Sequence, residues 1–190
     1  KVERGWFTNT TTPDGRGVNI GDELWGFIPQ ELLPHLRWLA DPAYTHVYYV
    51  DLKPKVTDVR IFPNDADHPG GWGTILIGGF RMGGSCGICT IQGQKMNFAA
   101  DFTGDAVADA ARDFLSAYFV LDVTNPDKVP TLLWSFSDTN LGFAMSYPAV
   151  ARVSPLSDAK AVSTNEKWFM VVGSGATSYD AGVGQTGKMF

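Results

Sequence analysis

The two cysteines are the first residues whose types and spacing could carry chemistry. Cys86 and Cys89 are the only cysteines in 190 residues, and two residues separate them. This spacing suits a redox dithiol, half of a zinc site or a small disulfide loop. No further zinc ligands pair convincingly with them, and the glycine-rich loop before Cys86 does not provide the helix N-terminus of a thioredoxin-like site. We therefore predict a structural disulfide between Cys86 and Cys89, provided that the compartment is oxidising.

A second pattern follows in residues 101–109, which read D-F-T-G-D-A-V-A-D. Oxygen side chains at positions one, three, five and nine, with a backbone carbonyl at seven, match the ligand order of a calcium loop. Calcium takes about six to eight oxygen ligands, so carboxylates at alternate residues of a tight turn can converge on one ion. The predicted ligands are Asp101, Thr103, Asp105, Val107 through its carbonyl, and Asp109.

The loop departs from an EF-hand in three places. Thr103 replaces an acidic or amide residue, Ala106 stands where glycine permits the sharp bend, and Arg112 replaces the glutamate of position twelve. We therefore expect weak calcium binding, with a dissociation constant of about 10⁻⁴ to 10⁻³ M. The alternative is an acidic turn that leads into a helical start without a metal.

Other polar residues form no catalytic pattern. Asn64–Gly71 offers two carboxylates and a histidine between two predicted strands, but we expect this loop to be solvated and to bind no metal. His35 and His46 have no companions at ligand spacing, and we expect each at the surface or in a hydrogen bond. The three histidines are scattered, so a hydrolytic triad has no support.

The elements that must position these residues are short strands. The apolar runs Tyr118–Val123 and Thr131–Phe136 flank a turn-rich connector and predict a β-hairpin. Upstream, Lys55–Phe62 alternates and Gly73–Phe80 is almost wholly apolar. Together these four runs predict one four-stranded antiparallel blade of a β-propeller.

The same order returns at the ends of the chain. Ser146–Val153 and Lys167–Gly175 repeat the first two strands, and Gly187–Phe190 resembles the start of the third. Glu23–Ile28 resembles a Trp-centred outer strand whose inner partners are missing. Because a blade takes about 40–45 residues, a closed ring does not fit this length.

We therefore predict an all-β fold: an incomplete, modified β-propeller of antiparallel blades with a short helical insertion. Residues 1–190 form a single domain or a fragment of a larger propeller, and Arg81–Ala117 is an insertion between two strands of the complete blade. Pro29–Ala40 has helical spacing of leucines, and Pro34 within it predicts a kink or two short helices. Trp25 and Trp134 are expected to pack between blades.

Composition excludes several classes of protein. The chain is 44% hydrophobic and 13% aromatic, which excludes disorder. Its net charge of −5 disfavours a groove that binds nucleic acid. No apolar run approaches the roughly 18 residues of a membrane helix, and we expect no membrane span.

Several motifs in conserved order resemble the C-terminal propeller domain of the PilC/PilY family. The motifs are E-L-W-G-F-I-P at 23–29, L-P-H-L at 33–36, the run from L-A-D-P at 39–42 to Y-Y-V-D at 48–51, T-I-L-I-G-G at 74–79, Y-F-V-L-D-V-T at 118–124 and L-W-S-F at 133–136. Proteins of this family are associated with the tips of bacterial type IV pili. The resemblance covers most of residues 20–190.

The resemblance implies a modified β-propeller, secretion across the inner membrane, and roles in pilus biogenesis and surface adhesion. Its partners would be pilus components such as minor pilins, and host or abiotic surfaces; its location would be the pilus tip or the outer surface of the cell. The family is also known for a calcium loop with this ligand order, which regulates pilus extension and retraction. On this basis the function is non-enzymatic.

Two other functions remain open. One is a fragment of a quinoprotein-type dehydrogenase, because such propellers also combine a leucine-aspartate strand end with a Trp-centred strand and use calcium. That enzyme needs a central cofactor pocket and commonly adjacent cysteines, which this sequence lacks. The other is a structural interaction module without a metal. Because propellers host many unrelated functions, the fold does not decide among them.

Overall fold

A computed structural model describes residues 23–44, 46–84, 90–91, 94–95, 115–153, 166–177 and 186–190. These residues form antiparallel strands with little helix, which confirms an all-β chain. The strands are β1 (Lys55–Arg60), β2 (Trp72–Gly79), β3 (Thr90–Ile91), β4 (Gln94–Lys95), β5 (Tyr118–Asp122), β6 (Thr131–Phe136), β7 (Ala149–Val153) and β8 (Lys167–Val171). Within the described residues, 3₁₀ helices span Gln30–Ala40 and Pro69–Gly71.

The centre of the fold is a four-stranded antiparallel sheet in the order β1-β2-β5-β6. Its strands are the four that the sequence predicts, with ends that differ by at most two residues. Ile75 lies opposite Asp122 and Gly79 opposite Tyr118, so β2 and β5 are neighbours although residues 80–117 separate them. The predicted insertion therefore leaves and re-enters the sheet at two adjacent strands.

Both faces of this sheet are apolar and covered. On one face, Phe119 and Leu121 pack with Leu32 of the 3₁₀ helix and with Phe80. On the other face lie the aliphatic side chains of Val59, Ile75, Ile77 and Val120. Burial of each such side chain stabilises the fold by about 1.5–3 kcal/mol, so the central strands hold the core.

The second face is covered by a two-stranded ribbon of β7 and β8. Val150, Trp168 and Met170 of this ribbon pack against the sheet. After β8 the chain meets the segment that ends at Phe190: Val172 and Phe190 exchange two backbone hydrogen bonds, of 3.1 and 2.9 Å. The ribbon and this segment repeat the pairing of β1, β2 and the start of β5, as the sequence predicts.

The outer strand predicted at Glu23–Ile28, whose inner partners the sequence lacks, is not formed among the described residues. These residues form no strand, and no described strand lies beside them to accept backbone hydrogen bonds. Phe27 instead places its ring 5.1 Å from that of Phe119, on the first face of the sheet. Trp25 and Trp134 are 37% and 41% exposed, so packing of these rings between blades stays a prediction.

The prediction of two short helices at Pro29–Ala40 is wrong, because one 3₁₀ helix spans Gln30–Ala40 with Pro34 inside it. Residues three apart share a face of a 3₁₀ helix. Leu32 and His35 are therefore both fully buried, while Leu33 and Leu39 remain exposed. Of the two positions expected for each histidine, at the surface or in a hydrogen bond, burial excludes the surface for His35, whereas His46 is exposed.

In the described part of the chain, no helix has the length and hydrophobicity to cross a bilayer.

Candidate functional site

The residues predicted to carry chemistry lie outside the described residues. This holds for the cysteine pair and for the whole predicted calcium loop: Cys86, Cys89, Asp101, Thr103, Asp105, Val107 and Asp109. The structure does describe the two chain segments by which this insertion joins the sheet, Phe80–Gly84 and Ser116–Ala117. We call these segments the insertion stem.

Backbone hydrogen bonds hold the insertion stem together, both between its two halves and within the first half. Phe80 donates its N–H to the carbonyl of Ala117 at 3.1 Å, and Gly83 donates to the carbonyl of Phe80 at 2.8 Å. Phe80 and Ala117 are fully buried. The stem is thus part of the core, and the insertion starts from a fixed base.

Two glycines let the stem pack this closely. A β-carbon at Gly83 would overlap the carbonyl oxygen of Tyr49, and one at Gly84 would lie 2.9 Å from the Cα of Ser116. Gly84 also has a φ of +74°, a left-handed conformation that side chains disfavour. Backbone contact therefore fixes the geometry of the stem.

Ser116 ties the stem to the following strands. Its fully buried Oγ accepts a hydrogen bond from the N–H of Ala144 at 3.0 Å and lies 3.4 Å from the carbonyl of Arg81, to which it donates. Arg81 in turn places its Nη1 3.0 Å from Asp51 Oδ2 at the surface. The stem is thus joined to two other stretches of chain, one around Asp51 and one at Ala144.

At the opposite end of the sheet lies a polar cluster, centred on His68. The Nδ1 of His68 is 3.0 Å from Asp65 Oδ1, and its Nε2 is 3.0 Å from Asp122 Oδ2. A carboxylate only accepts hydrogen bonds, so an imidazolium with both N–H groups satisfies both partners. Phe62 stacks on the imidazole with ring centroids 4.0 Å apart, which further favours a cation.

The cluster joins the loop between β1 and β2 to the end of β5. Asp122 Oδ1 accepts hydrogen bonds from the N–H of Thr124 at 2.9 Å and from its hydroxyl at 2.6 Å. Thr124 Oγ1 then accepts the N–H of Thr74 at 2.9 Å. Asp67 pairs with Lys128 and Asn125 beyond the same strand. The loop between β1 and β2 is thereby bonded to the end of β5 and to the turn after it, and this turn is also bonded to β2.

The surroundings shift the pKa values of these groups. Partial burial of His68 opposes its charged form, but hydrogen bonds to Asp122 and Asp65 outweigh it and raise the pKa of the imidazole. Hydrogen bonds from the backbone N–H and the ring of His68 lower the pKa of Asp65. A hydrogen bond from Lys128 lowers the pKa of Asp67. These shifts favour a cationic His68 together with anionic Asp65 and Asp67.

The cluster corrects the expectation that Asn64–Gly71 is simply solvated. His68 is only 9% exposed, and Asn64 Oδ1 accepts the N–H of Gly70 at 2.8 Å. Among the described residues, no three or more His, Cys, Asp or Glu side chains come together in a group that could hold a metal ion. Thr124 hydrogen-bonds a carboxylate rather than the imidazole, so the arrangement suits bracing of the sheet and not nucleophilic catalysis.

The sequence analysis did not predict this cluster, although the residues on each side of it lie in recognisable local patterns. Asp122 and Thr124 follow a β-strand with the two-residue spacing of a side-chain turn. His68 precedes the next strand from a loop that contains two aspartates. Their pairing joins residues 54 positions apart, which spacing along the chain does not reveal.

Comparison with known proteins finds similar curated proteins, whereas no family model and no solved structure matches the chain. It is 29% identical over 167 residues to the "Type IV pilus biogenesis factor PilY1" of Pseudomonas aeruginosa strain UCBPP-PA14. It is 27% identical over 163 residues to a "Type IV pilus biogenesis factor PilY1 homolog" of Xylella fastidiosa. These alignments cover 85% and 83% of this chain but only 10% and 8% of the relatives, so the chain spans about a tenth of their length.

The similarity agrees with the motifs quoted above, which span both the central sheet and the segment that covers its first face. The resemblance to the PilC/PilY family predicted from the sequence is thereby confirmed: the chain is similar to part of the PilY1 type IV pilus biogenesis factors.

Proposed function

We propose that this chain is a display unit of a type IV pilus biogenesis protein, which acts in pilus assembly and surface adhesion without enzymatic activity. The observation that carries the proposal is the similarity to PilY1 biogenesis factors over 83–85% of the chain. Because the chain spans about a tenth of those relatives, it supplies one part of the function of a longer protein.

The insertion stem supports a display role. A loop that contacts a partner works best on a rigid scaffold, because little conformational entropy is then lost on binding. Residues 81–117 start and end on two hydrogen-bonded, buried strands of the central sheet. We propose that this insertion makes contacts with minor pilins or with host and abiotic surfaces, outside the cell at the pilus tip.

The sheet arrangement supports a propeller as the larger architecture. An up-and-down sheet of four strands, with the first strands of a second sheet packed on its face, is the arrangement of successive propeller blades. We propose that the chain forms one complete blade and part of the next within an incomplete or modified propeller.

We also propose that calcium binds in residues 101–109 and a disulfide joins Cys86 to Cys89. The support is the spacing of oxygen residues and of cysteines in the sequence. Calcium would order the insertion relative to its stem and so couple metal binding to adhesion. The disulfide would form after export to an oxidising compartment.

The pilus role is tested in the bacterium that encodes the chain, within the full-length protein. The central part of the insertion, residues 85–114, is replaced by a short glycine-serine linker, which leaves the stem intact. Surface pili are counted after shearing, and attachment to abiotic surfaces is measured. We expect attachment to fall while the protein accumulates normally; wild-type attachment and pilus number together would contradict the proposal.

Calcium binding is tested by calorimetry on the metal-stripped chain. We expect a dissociation constant of about 10⁻⁴ to 10⁻³ M, lost in an Asp105→Ala, Asp109→Ala double variant. A Glu23→Ala, Asp127→Ala variant removes the same charge from exposed positions and is the matched control. Equal heats in both double variants would place any calcium site outside residues 101–109.

A further inference from the structure

An open cleft of about 420 Å³ lies where the loop between β1 and β2 faces the start of β8. It is separate from the His68 cluster, although Phe62 borders both. Its walls include Arg60, Asn64, Glu166 and Trp168. The volume falls within the range of about 300–1,000 Å³ that is typical of small-molecule sites.

One peptide group orients two of the polar side chains on the loop side of the cleft. The carbonyl of Gly70 accepts a hydrogen bond from Arg60 Nε at 2.9 Å, and the N–H of Gly70 donates to Asn64 Oδ1 at 2.8 Å. These bonds leave Arg60 Nη1 and Nη2 and Asn64 Nδ2 as donors without a partner among the described residues. Gly70 itself has a φ of +66°, so the loop conformation depends on glycine.

The ribbon side of the cleft supplies an acceptor and a flat apolar surface. The side chain of Glu166 is only 8% exposed, and its Oε1 lies 2.9 Å from Arg152 Nη2. This pairing leaves Oε2 able to accept a further hydrogen bond. The indole Nε1 of Trp168 is buried and has no hydrogen-bond partner in the described part of the chain.

Charge decides what kind of ligand fits this cleft. Glu166 and Arg152 neutralise each other, whereas no carboxylate of the described residues pairs with Arg60. Arg60 is therefore the lining cation without an ion-pair partner among the described residues, which favours a ligand that carries an anionic group. A guanidinium fork binds a carboxylate with two parallel hydrogen bonds, and an adjacent amide N–H adds a third.

We propose that this cleft is a binding site for a small hydroxylated carboxylate of the size and chemistry of a hexuronic acid. The carboxylate binds to Arg60 and Asn64, a hydroxyl donates to Glu166, and the sugar ring packs against Trp168. The site is distinct from the insertion, and the proposal does not rest on calcium binding or on adhesion by residues 81–117.

The test is a titration of the chain with glucuronate, followed by NMR of the tryptophan indole N–H groups. The Trp168 resonance is assigned by its loss in a Trp168→Phe variant. We expect a saturable shift of the Trp168 resonance at millimolar glucuronate and no saturation with glucose, which lacks the carboxylate. Saturation by glucose, or equally tight binding of inorganic phosphate, would overturn the assignment to a hydroxylated carboxylate.

Two variants locate the binding site. Arg60→Gln removes the guanidinium, and Asn64→Asp keeps the acceptor for Gly70 but replaces the Nδ2 donor with a carboxylate oxygen. We expect each to weaken glucuronate binding at least about tenfold. Arg37→Gln, which removes an exposed arginine from the 3₁₀ helix, is the matched control and should leave binding unchanged. If Arg60→Gln unfolds, undiminished binding to folded Asn64→Asp still overturns the proposal.

Discussion

The two ends of the central sheet can be compared directly, because β2 and β5 cross both. At the end where β2 finishes and β5 begins, backbone contacts and buried apolar side chains close the structure around Gly83, Phe80 and Ala117. At the end where β2 begins and β5 finishes, ionisable side chains close it around His68. Close packing holds the first end, and hydrogen bonds between ionisable side chains hold the second.

The difference shows how a sheet can carry a large insertion and still remain rigid. Contacts between backbone atoms do not change with pH or salt, so the insertion stem keeps its geometry in varied surroundings. Charged hydrogen bonds are strong only while the partners keep their protonation states. Substitutions at the two ends should therefore change the unfolding free energy with different dependence on pH.

The largest effect is expected at Gly83. A Gly83→Ala substitution forces a methyl group into the carbonyl of Tyr49, and neither backbone can move without disturbing the core. We expect a loss of about 3 kcal/mol in unfolding free energy, measured by urea denaturation. Gly187→Ala is the control, because nothing lies within 4 Å of its β-carbon position. Equal stability of the two variants would contradict close packing at the stem.

A somewhat smaller effect is expected for His68→Gln, and it should depend on pH. The variant loses charge-assisted hydrogen bonds to Asp65 and Asp122, which costs about 2 kcal/mol near pH 5.5. The raised pKa of His68 adds stability that is fully present below its unfolded value of 6.5 and is lost as pH rises through the folded pKa.

The same cluster sets the acid limit of this effect. The lowered pKa of Asp65 adds stability above its unfolded value of 3.8, and this is lost as pH falls through the folded pKa. The difference between wild type and His68→Gln should therefore be greatest between pH 4 and 6.5. Urea denaturation at several pH values measures it, and a constant difference from pH 4 to 9 would show that His68 is not a cation in the fold.

Ser116→Ala should lower stability by about 1–2 kcal/mol, because the N–H of Ala144 loses its buried acceptor. Ser116 bonds only to backbone groups, the N–H of Ala144 and the carbonyl of Arg81, and these do not titrate, so this loss should be the same at pH 5 and pH 8. Thermal unfolding at both values provides the comparison with His68→Gln. A loss that varies with pH would mean that the two ends are coupled.

The smallest effect is expected for Tyr118→Phe at the start of β5. Its hydroxyl donates to the carbonyl of Ser146 at 2.8 Å, and removal costs about 1 kcal/mol. Burial raises the pKa of Tyr118 to about 12. This stability is present below pH 10 and is lost as pH rises towards 12, so the variant should approach wild-type stability there. Ultraviolet titration of the phenol, with the variant as reference, checks the pKa.

Local pattern was sufficient to predict the strands of the central sheet. In runs such as Thr131–Phe136, apolar and polar residues alternate or all residues are apolar, and turn residues stand at both ends. Each such pattern predicts a β-strand. The connector between β5 and β6 also follows from its proline and asparagine. The family resemblance depends on the same stretches, because their residue types and their order along the chain match those of the PilC/PilY motifs.

Features that depend on partners distant in the chain were not predictable in this way. Glu23–Ile28 has the composition of a strand, but a strand needs a neighbour, and the fold provides none among the described residues. Pro34 indicates interruption of an α-helix, yet packing of Leu32 and His35 selects a continuous 3₁₀ helix. In both cases tertiary contacts outweigh a local preference of modest size.

By itself, the sequence determined the all-β class, the four central strands and the relation to PilY1 proteins, because each resides in short stretches of adjacent residues. Only the tertiary structure decided which polar residues meet. Asp122 and His68 are separated by 54 positions, and Arg60 faces Glu166 across a cleft. Their chemistry arises from pairing of β2 with its neighbours and from packing of the β7–β8 ribbon, neither of which any single segment encodes.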